Sequence, residues 1–275
     1  MTGQGLGSIP ASEEEHPTFD TSVAHIARVY DYWLGGKDNY AADRAAGDAM
    51  IEAYPDLVSS VRANRAFLAR TVRYLAGEAG IRQFLDIGTG IPSANNTHEI
   101  AQATVPSCRI VYVDNDPIVL AHARALLTSS PEGATDYLDA DLRDTGTILA
   151  HAARTLDFSQ PVAVMLIAIL HLIADDDDPY GIVARLMQAV PAGSYLALSH
   201  VGSDIEPEKQ AEAARRYNQA ARDKQNHRTR AEVTNFFAGL DLVEPGVVAV
   251  QHWRPDSEIE AKGKSAMWGG VARKL

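Results

Sequence analysis

The chain reads as an α/β protein built on a doubly wound, mostly parallel sheet with helices on both faces. Two observations predict that class. From Ile81 onward, short apolar runs alternate with helical segments, the runs being Gln83–Ile87, Arg109–Val113, Thr135–Leu138, Val162–Ile167 and Ser194–Ser199. Strands covered on both faces read as unbroken apolar runs, and helices between them are the crossovers of a parallel sheet. The second observation is how the first run ends. Asp86 is followed by Gly88 and Gly90, so a strand runs into a glycine turn.

The elements follow in order. Residues 1–18 are rich in Gly, Ser and Glu and are expected to be disordered. Residues 19–80 read as a helical cap, or lid. Ser22 can cap a first helix that runs to Leu34, and Gly35-Gly36 stops it. Asp38 can cap a second helix, Tyr40 to Tyr54. Pro55 breaks the chain, and Leu57–Ala76 forms a third helix that Gly77 and Gly80 end. Residues 81–275 form the core domain, with helices expected at 95–104, 117–129, 144–155 and 179–190. A polar helix at 206–225 and a shorter one at 229–238, capped by Thr229, make a helical insertion over residues 203–238. Leu240–Val250 and Met267–Arg273 are late strand candidates that suit an antiparallel pair.

Composition narrows the function classes. The formal net charge is −11 and the isoelectric point about 5.2, which disfavours tracking along a nucleic-acid backbone. Arg62, Arg65, Arg70 and Arg73 share one helix, and Arg215, Arg216, Arg222, Lys224, Arg228 and Arg230 cluster later; both groups read as solvated helix faces. The single cysteine, Cys108, forms no intrachain disulfide and reads as a packing residue. The first 18 residues lack the basic and apolar regions of a signal peptide, and the longest apolar run, between Pro161 and His171, is too short to span a membrane. A cytoplasmic protein without membrane partners is the expectation.

In a doubly wound sheet, ligands bind beyond the carboxyl ends of the strands. The strands present Asp86 with Gly88–Thr89–Gly90, then Asp114-Asn115-Asp116, then Asp139 and Asp141, then Ala168 and His171, then Ser199 and His200. Two glycines let a backbone turn tightly and approach a ligand. Asp114 can accept both hydroxyls of a ribose, and Asp141 the amino group of an adenine. Asp86 beside the glycine turn would repel a pyrophosphate but hold an ammonium group. The ligand implied is an adenosine bearing an amine and no phosphate, which S-adenosylmethionine (SAM) satisfies. NAD fits less well, because the third glycine of its fingerprint is replaced by Ser93 and Pro92 intrudes. No Walker A loop is present.

Long stretches of the chain also resemble a known family. They are ARVYDYWLGGKDNY (27–40) with Asp43-Arg44, FLDIGTGIPSANNTHEIAQ (84–102), VYVDNDPIVLAHARALL (111–127), DADLRD (139–144), and AILHLIADDDDPYGIVARLMQAVPAGSYLALSH (168–200). They resemble the Rossmann-like, class I SAM-dependent methyltransferases. More narrowly, they resemble a bacterial group of S-adenosylmethionine methyltransferases long labelled only as a domain of unknown function. Pro92 stands where the general class commonly has a third glycine. The resemblance implies a seven-stranded sheet with a reversed last strand. It also implies that Asp86 and the Gly88–Gly90 turn contact the methionine part. Asp114 would take the ribose diol, and Asn115 would lie beside the adenine. Asp141 and the Leu142 backbone would meet the adenine edge, and Ala168 would sit near the sulfonium.

Other features carry competing readings. Tyr30 to Tyr40 is dense in aromatics around Gly35-Gly36. It is either a corner packed on the core or a lid over the cofactor, in which Tyr30, Tyr32 and Asn39 reach the ligand and Gly36 serves as hinge. Tyr32 and Gly36 therefore join the cofactor-binding candidates. Asp175–Asp178 suits helix capping before Pro179 rather than a metal, and no metal site is expected. His171 and His200 are the candidates for a general base, each with a structural reading beside it. His98 reads as surface or capping. The reaction expected is methyl transfer from SAM to a small-molecule acceptor. A non-catalytic SAM-binding sensor and an NAD-dependent oxidoreductase are the alternatives.

Overall fold

The computed structural model describes residues 20–92, 95–126, 128–221 and 224–275. The expectations for residues 1–18, Ser93 and Arg222 lie outside the described residues. The described residues open with three helices: α1 (Ile26–Leu34), α2 (Ala41–Ala53) and α3 (Leu57–Gly77). There follow β1 (Gln83–Ile87), α4 (Thr97–Thr104), β2 (Arg109–Asp114), α5 (Pro117–Leu126), β3 (Ala134–Asp139) and α6 (Thr145–Ala152). Next come β4 (Ala163–Ile167), α7 (Pro179–Ala189), β5 (Tyr195–Val201), α8 (Pro207–Ala220) and α9 (Arg230–Asn235). The chain closes with β6 (Asp241–Leu242), β7 (Val248–Ala249), α10 (Glu258–Ala261) and β8 (Met267–Arg273).

The strands form one sheet in the order β3-β2-β1-β4-β5-β8-β6, parallel from β3 to β5. β8 runs antiparallel to β5 along its whole length, in agreement with the reversed last strand that the family resemblance implies. The expected strand at 240–250 is interrupted. Its two ends, β6 and β7, both pair with the outer edge of β8, while Gly246 turns the chain between them at φ +81°. Among the described residues the sheet therefore has eight strands, because the seventh position is shared by two short ones.

Alternation along the strands sorts the side chains into two cores. Leu85, Ile87, Val164 and Leu166 pack against α6, α7 and α9 through Ile148, Ile182, Leu186 and Phe236. Phe84, Ile110, Met165 and Ala197 face the other way and meet α3 through Phe67, Leu68, Val72 and Leu75. A third core joins α1 and α2 to α8: Val29 and Trp33 meet Met50, Tyr54, Ala213 and Tyr217. The N-terminal helices and the inserted helix α8, far apart in sequence, thus build one cap.

Local chemistry explains most helix ends. His25, rather than Ser22, caps α1, and Gly35 ends it at φ +83°. The Tyr40 N–H donates to Asp43 at the start of α2, at 2.8 Å. Asp116, Asp144 and Asp178 cap α5, α6 and α7 through Ile118 N, Thr147 N and Gly181 N. Asp175 and Asp177 pair with Arg228 and Arg143, in keeping with a structural acidic run. Among the described residues no His/Cys/Asp/Glu group is arranged to hold a metal ion. None of their helices is long and apolar enough to cross a membrane.

Several charged residues differ from the solvated faces expected of them. Arg70 is buried and donates to the carbonyls of Val250 and Trp253 while pairing with Glu260. Arg228 is buried as well and donates to the carbonyls of Leu170 and Ile173. His98, expected at the surface or as a cap, is buried with its Nδ1 2.9 Å from the Tyr112 hydroxyl. In each case a partner distant in sequence supplies what water would otherwise have given.

Candidate functional site

A cleft of about 1180 Å³, open mouth included, lies at the carboxyl ends of the parallel strands. β1 and β4 are neighbours there, and the strand order reverses between them, which is where such sheets bind ligands. α1 and α3 from the cap form the opposite wall through Ala27, Tyr30, Asp31, Leu34, Asn64 and Arg65.

The glycine turn after β1 forms the floor. Gly88 and Gly90 have φ of +78° and +68°, a region that side chains with a Cβ disfavour. A Cβ on Gly88 would also meet Ile169 at 2.6 Å. The Gly88 N–H donates to Val113 O at 2.8 Å, and the Thr89 hydroxyl to Asp86 O at 3.2 Å. Asp86 is 4% exposed and accepts a 2.6 Å hydrogen bond from the Thr97 hydroxyl. Burial pushes its carboxyl up to about 6, against the opposing pull of Thr97 and of the nearby Arg65 charge. Arg65 lines the same cleft and donates to Asn95 O at 3.0 Å. A carboxylate and a guanidinium therefore face one space.

The next two strand ends continue the wall. Asp114 accepts from Gly90 N at 2.8 Å on one oxygen and from Asp116 N at 3.0 Å on the other. Each oxygen keeps a second lone pair for a ligand. Burial raises the Asp114 carboxyl, opposed by those two amides. His25, on the cap, lines the cleft beside it with Nδ1 2.9 Å from Asp116. Asn115 is exposed at the cleft, and Leu142 is buried in its wall. Asp141 accepts from Arg143 N and Nη1, both at 2.8 Å, and Arg143 also reaches Asp177.

Ala168 follows β4 with φ +56°, a left-handed conformation that costs an alanine about 1–2 kcal/mol. Its N–H is held by Ser199 of β5, through the carbonyl at 3.1 Å and Oγ at 3.0 Å. Strain of this kind persists only where surrounding contacts impose it.

Of the sequence-expected residues, Asp86, Gly88, Thr89, Gly90, Asp114, Asn115, Asp141, Leu142 and Ala168 all line the cleft. Tyr32 and Gly36 do not. The Tyr32 hydroxyl donates to Asp48 of α2 at 2.7 Å, because its helical phase points it away from the Tyr30 side of α1. Gly36 makes room for Asp31: a Cβ there would lie 1.9 Å from Asp31 Oδ1. Asn39 also serves Asp31, donating to its Oδ2 at 2.9 Å.

The two histidines need the same correction. Both are buried behind the cleft wall, with rings 5.8 Å apart. His200 lies 2.8 Å from Val201 O through Nδ1 and 2.9 Å from the Arg228 guanidinium through Nε2. Its Nδ1 thus carries the proton, and its lone pair is already used. Burial pushes it down to about 3 and holds His171 well below its ordinary value. For His200, within β5, the side of the pleat keeps the ring out of the cleft, whereas His171 lies in the 3-10 turn Leu170–Leu172 that follows β4 and is buried there.

Arg65, read from the sequence as solvated, lines the cleft, as do His25, Asp31 and Asn64, for which no site signal was read in the sequence. For Arg65 a signal existed. Val61, Arg65, Leu68, Val72 and Leu75 recur at alternating steps of four and three, so the arginine sits on the core-facing stripe of α3.

Comparison with known proteins gives the family. A family model described as S-adenosyl methyltransferase matches residues 12–275. The chain is similar to a DUF574 family protein from Streptomyces avermitilis, with 51% identity and a TM-score of 0.90, covering 93% of this chain and 99% of that one. It is similar to a methyltransferase candidate from Thermobifida fusca, with 42% identity and a TM-score of 0.86, covering 96% and 99%. An O-methyltransferase family 2 protein from Planctomyces limnophilus shares the fold at 15% identity and a TM-score of 0.50, covering 90% and 65%. No curated protein matches. The chain belongs to the S-adenosyl methyltransferase family, and its cofactor is SAM.

Proposed function

We propose that this methyltransferase holds SAM along the carboxyl edge of β1 to β3 and methylates a small-molecule acceptor admitted beside Ala168 and α1. One observation carries the residue assignment: the buried Asp86 carboxylate and the Arg65 guanidinium face one space next to the glycine turn. That pair suits the ammonium and carboxylate of an amino acid and is poorly suited to a pyrophosphate. Asp114 receives the ribose hydroxyls. Asp141, Leu142 and Asn115 frame the adenine.

Bound SAM supplies a methyl group already activated on its sulfonium. The chain's part is alignment and exclusion of water. The Ser199-fastened turn at Ala168 sets one wall, and α1 with Ile26, Ala27 and Leu34 sets an apolar one. Positioning of this kind supplies about 7–11 kcal/mol of a barrier in favourable cases. In this reading neither His171 nor His200 acts as a base, since neither lines the cleft and His200 has no lone pair to offer. Calorimetry with SAM and with NAD tests the assignment. Micromolar SAM binding that Arg65→Ala or Asp86→Asn weakens at least tenfold is expected. NAD binding without SAM binding sinks it.

A further inference from the structure

A chain of hydrogen bonds links the cap to the strained turn after β4. The Ala168 N–H donates to Ser199 Oγ at 3.0 Å. That hydroxyl donates to Asn64 Oδ1 at 2.6 Å. Asn64 Nδ2 donates to the Tyr30 hydroxyl at 3.0 Å. Tyr30 is on α1, Asn64 on α3, Ser199 on β5 and Ala168 after β4, so four elements meet in one relay. Ser199 and Asn64 are buried, while Tyr30, Asn64 and Ala168 line the cleft. The only acceptor described for the Tyr30 proton is Val61 O at 3.4 Å, which is long for an O–H···O bond. A ligand atom with a lone pair in the cleft is therefore a better partner for that proton.

We propose that Asn64 is a positioning residue that couples the Tyr30 phenol on the cap to the Ala168 peptide, so that docking of α1 sets the backbone facing the reacting methyl. The placement of the methyl rests on the reading of SAM in the cleft; the coupling itself does not. Each donor in such a chain polarises the next, and coupling between two sites is reciprocal. A ligand that draws the Tyr30 proton tightens Ser199 on Ala168, and a loosened Ala168 turn weakens the hold on α1.

The test is amide exchange at Ala168, with and without S-adenosylhomocysteine, in Tyr30→Phe, Ser199→Ala and the double variant. Tyr32→Phe is the control, since its hydroxyl reaches Asp48 instead. Tyr30→Phe is expected to speed exchange at Ala168 about fivefold or more in the ligand-free protein, although no bond joins the two residues directly. Tyr32→Phe leaves it unchanged. Calorimetry is expected to show each single variant binding S-adenosylhomocysteine more weakly, with the double variant no weaker than the worse single one. Independent residues would instead give losses that multiply. Unchanged Ala168 exchange in Tyr30→Phe overturns the proposal, and so do multiplying losses. If the native chain binds no S-adenosylhomocysteine, the cofactor placement fails, and the exchange data still decide the coupling.

Discussion

Asp86 keeps its proton up to about pH 6 because it is buried, although the hydrogen bond from Thr97 pulls the other way. Its folded value lies above its unfolded one. Its stabilising contribution is therefore full below 3.8 and is lost as pH rises through about 6. Above that pH the ionised carboxylate needs a cation, which a ligand ammonium supplies. SAM affinity is accordingly expected to rise with pH up to about 6 and then level off. Asp86→Asn should abolish the step and weaken binding about tenfold or more at pH 7.5, read by calorimetry across the pH range. The adjacent glycines at the α1 corner separate two kinds of constraint. Gly35→Ala meets no neighbour and should cost about 1 kcal/mol for its left-handed φ alone. Gly36→Ala drives a methyl into Asp31 and should cost more, about 1–3 kcal/mol, in denaturant unfolding.

At the scale of elements, the cap has its own core and its own buried ion pair. Arg28 Nε lies 3.2 Å from Asp43, with both side chains almost fully covered. Asp43 also accepts from His25 N at 3.0 Å and Tyr40 N at 2.8 Å, which fastens the start of α1 to the start of α2. Removing one member of such a pair strands the other and costs about 3–5 kcal/mol. Asp43→Ala is expected to open α1 and α2 locally, raising hydrogen exchange over residues 25–53 while β1 to β5 keep their protection. Uniform loss of protection across the sheet would show instead that cap and sheet unfold as one unit. The pairing of α2 with α8 was not legible in the sequence. Amphipathic periodicity says that each helix has a face to bury, not which distant helix will bury it.

Among the described residues, burial holds four histidines below their ordinary value: His200 at about 3, His227 at about 4, His171 well below it and His98 below it. Their folded values lie below the unfolded 6.5, so the unfolded chain binds more protons as pH falls from 6.5 toward those values. Stability is therefore complete above about 6.5 and declines beneath it, by up to about 1.4 kcal/mol per pH unit for each group. Asp86 offsets part of this between 6 and 3.8. A thermal midpoint that falls steadily from pH 7 to pH 5 is expected, and His227→Gln should flatten the slope; a midpoint constant over that range would contradict it. The five parallel strands, their alternation with helices, the glycine turn and the acids Asp86, Asp114 and Asp141 were legible in the amino-acid order. Those are local: an apolar run, a turn residue and a strand end sit within a few positions of one another. Folding alone brings Arg65 into the cleft, buries Arg70 and Arg228, and sets His171 and His200 outside the cleft lining. It also joins Asn64 to Tyr30 and Ser199 and packs α8 on the cap. Burial of a charged or polar side chain depends on partners that satisfy it, and those partners come from elements the chain brings together only when it folds.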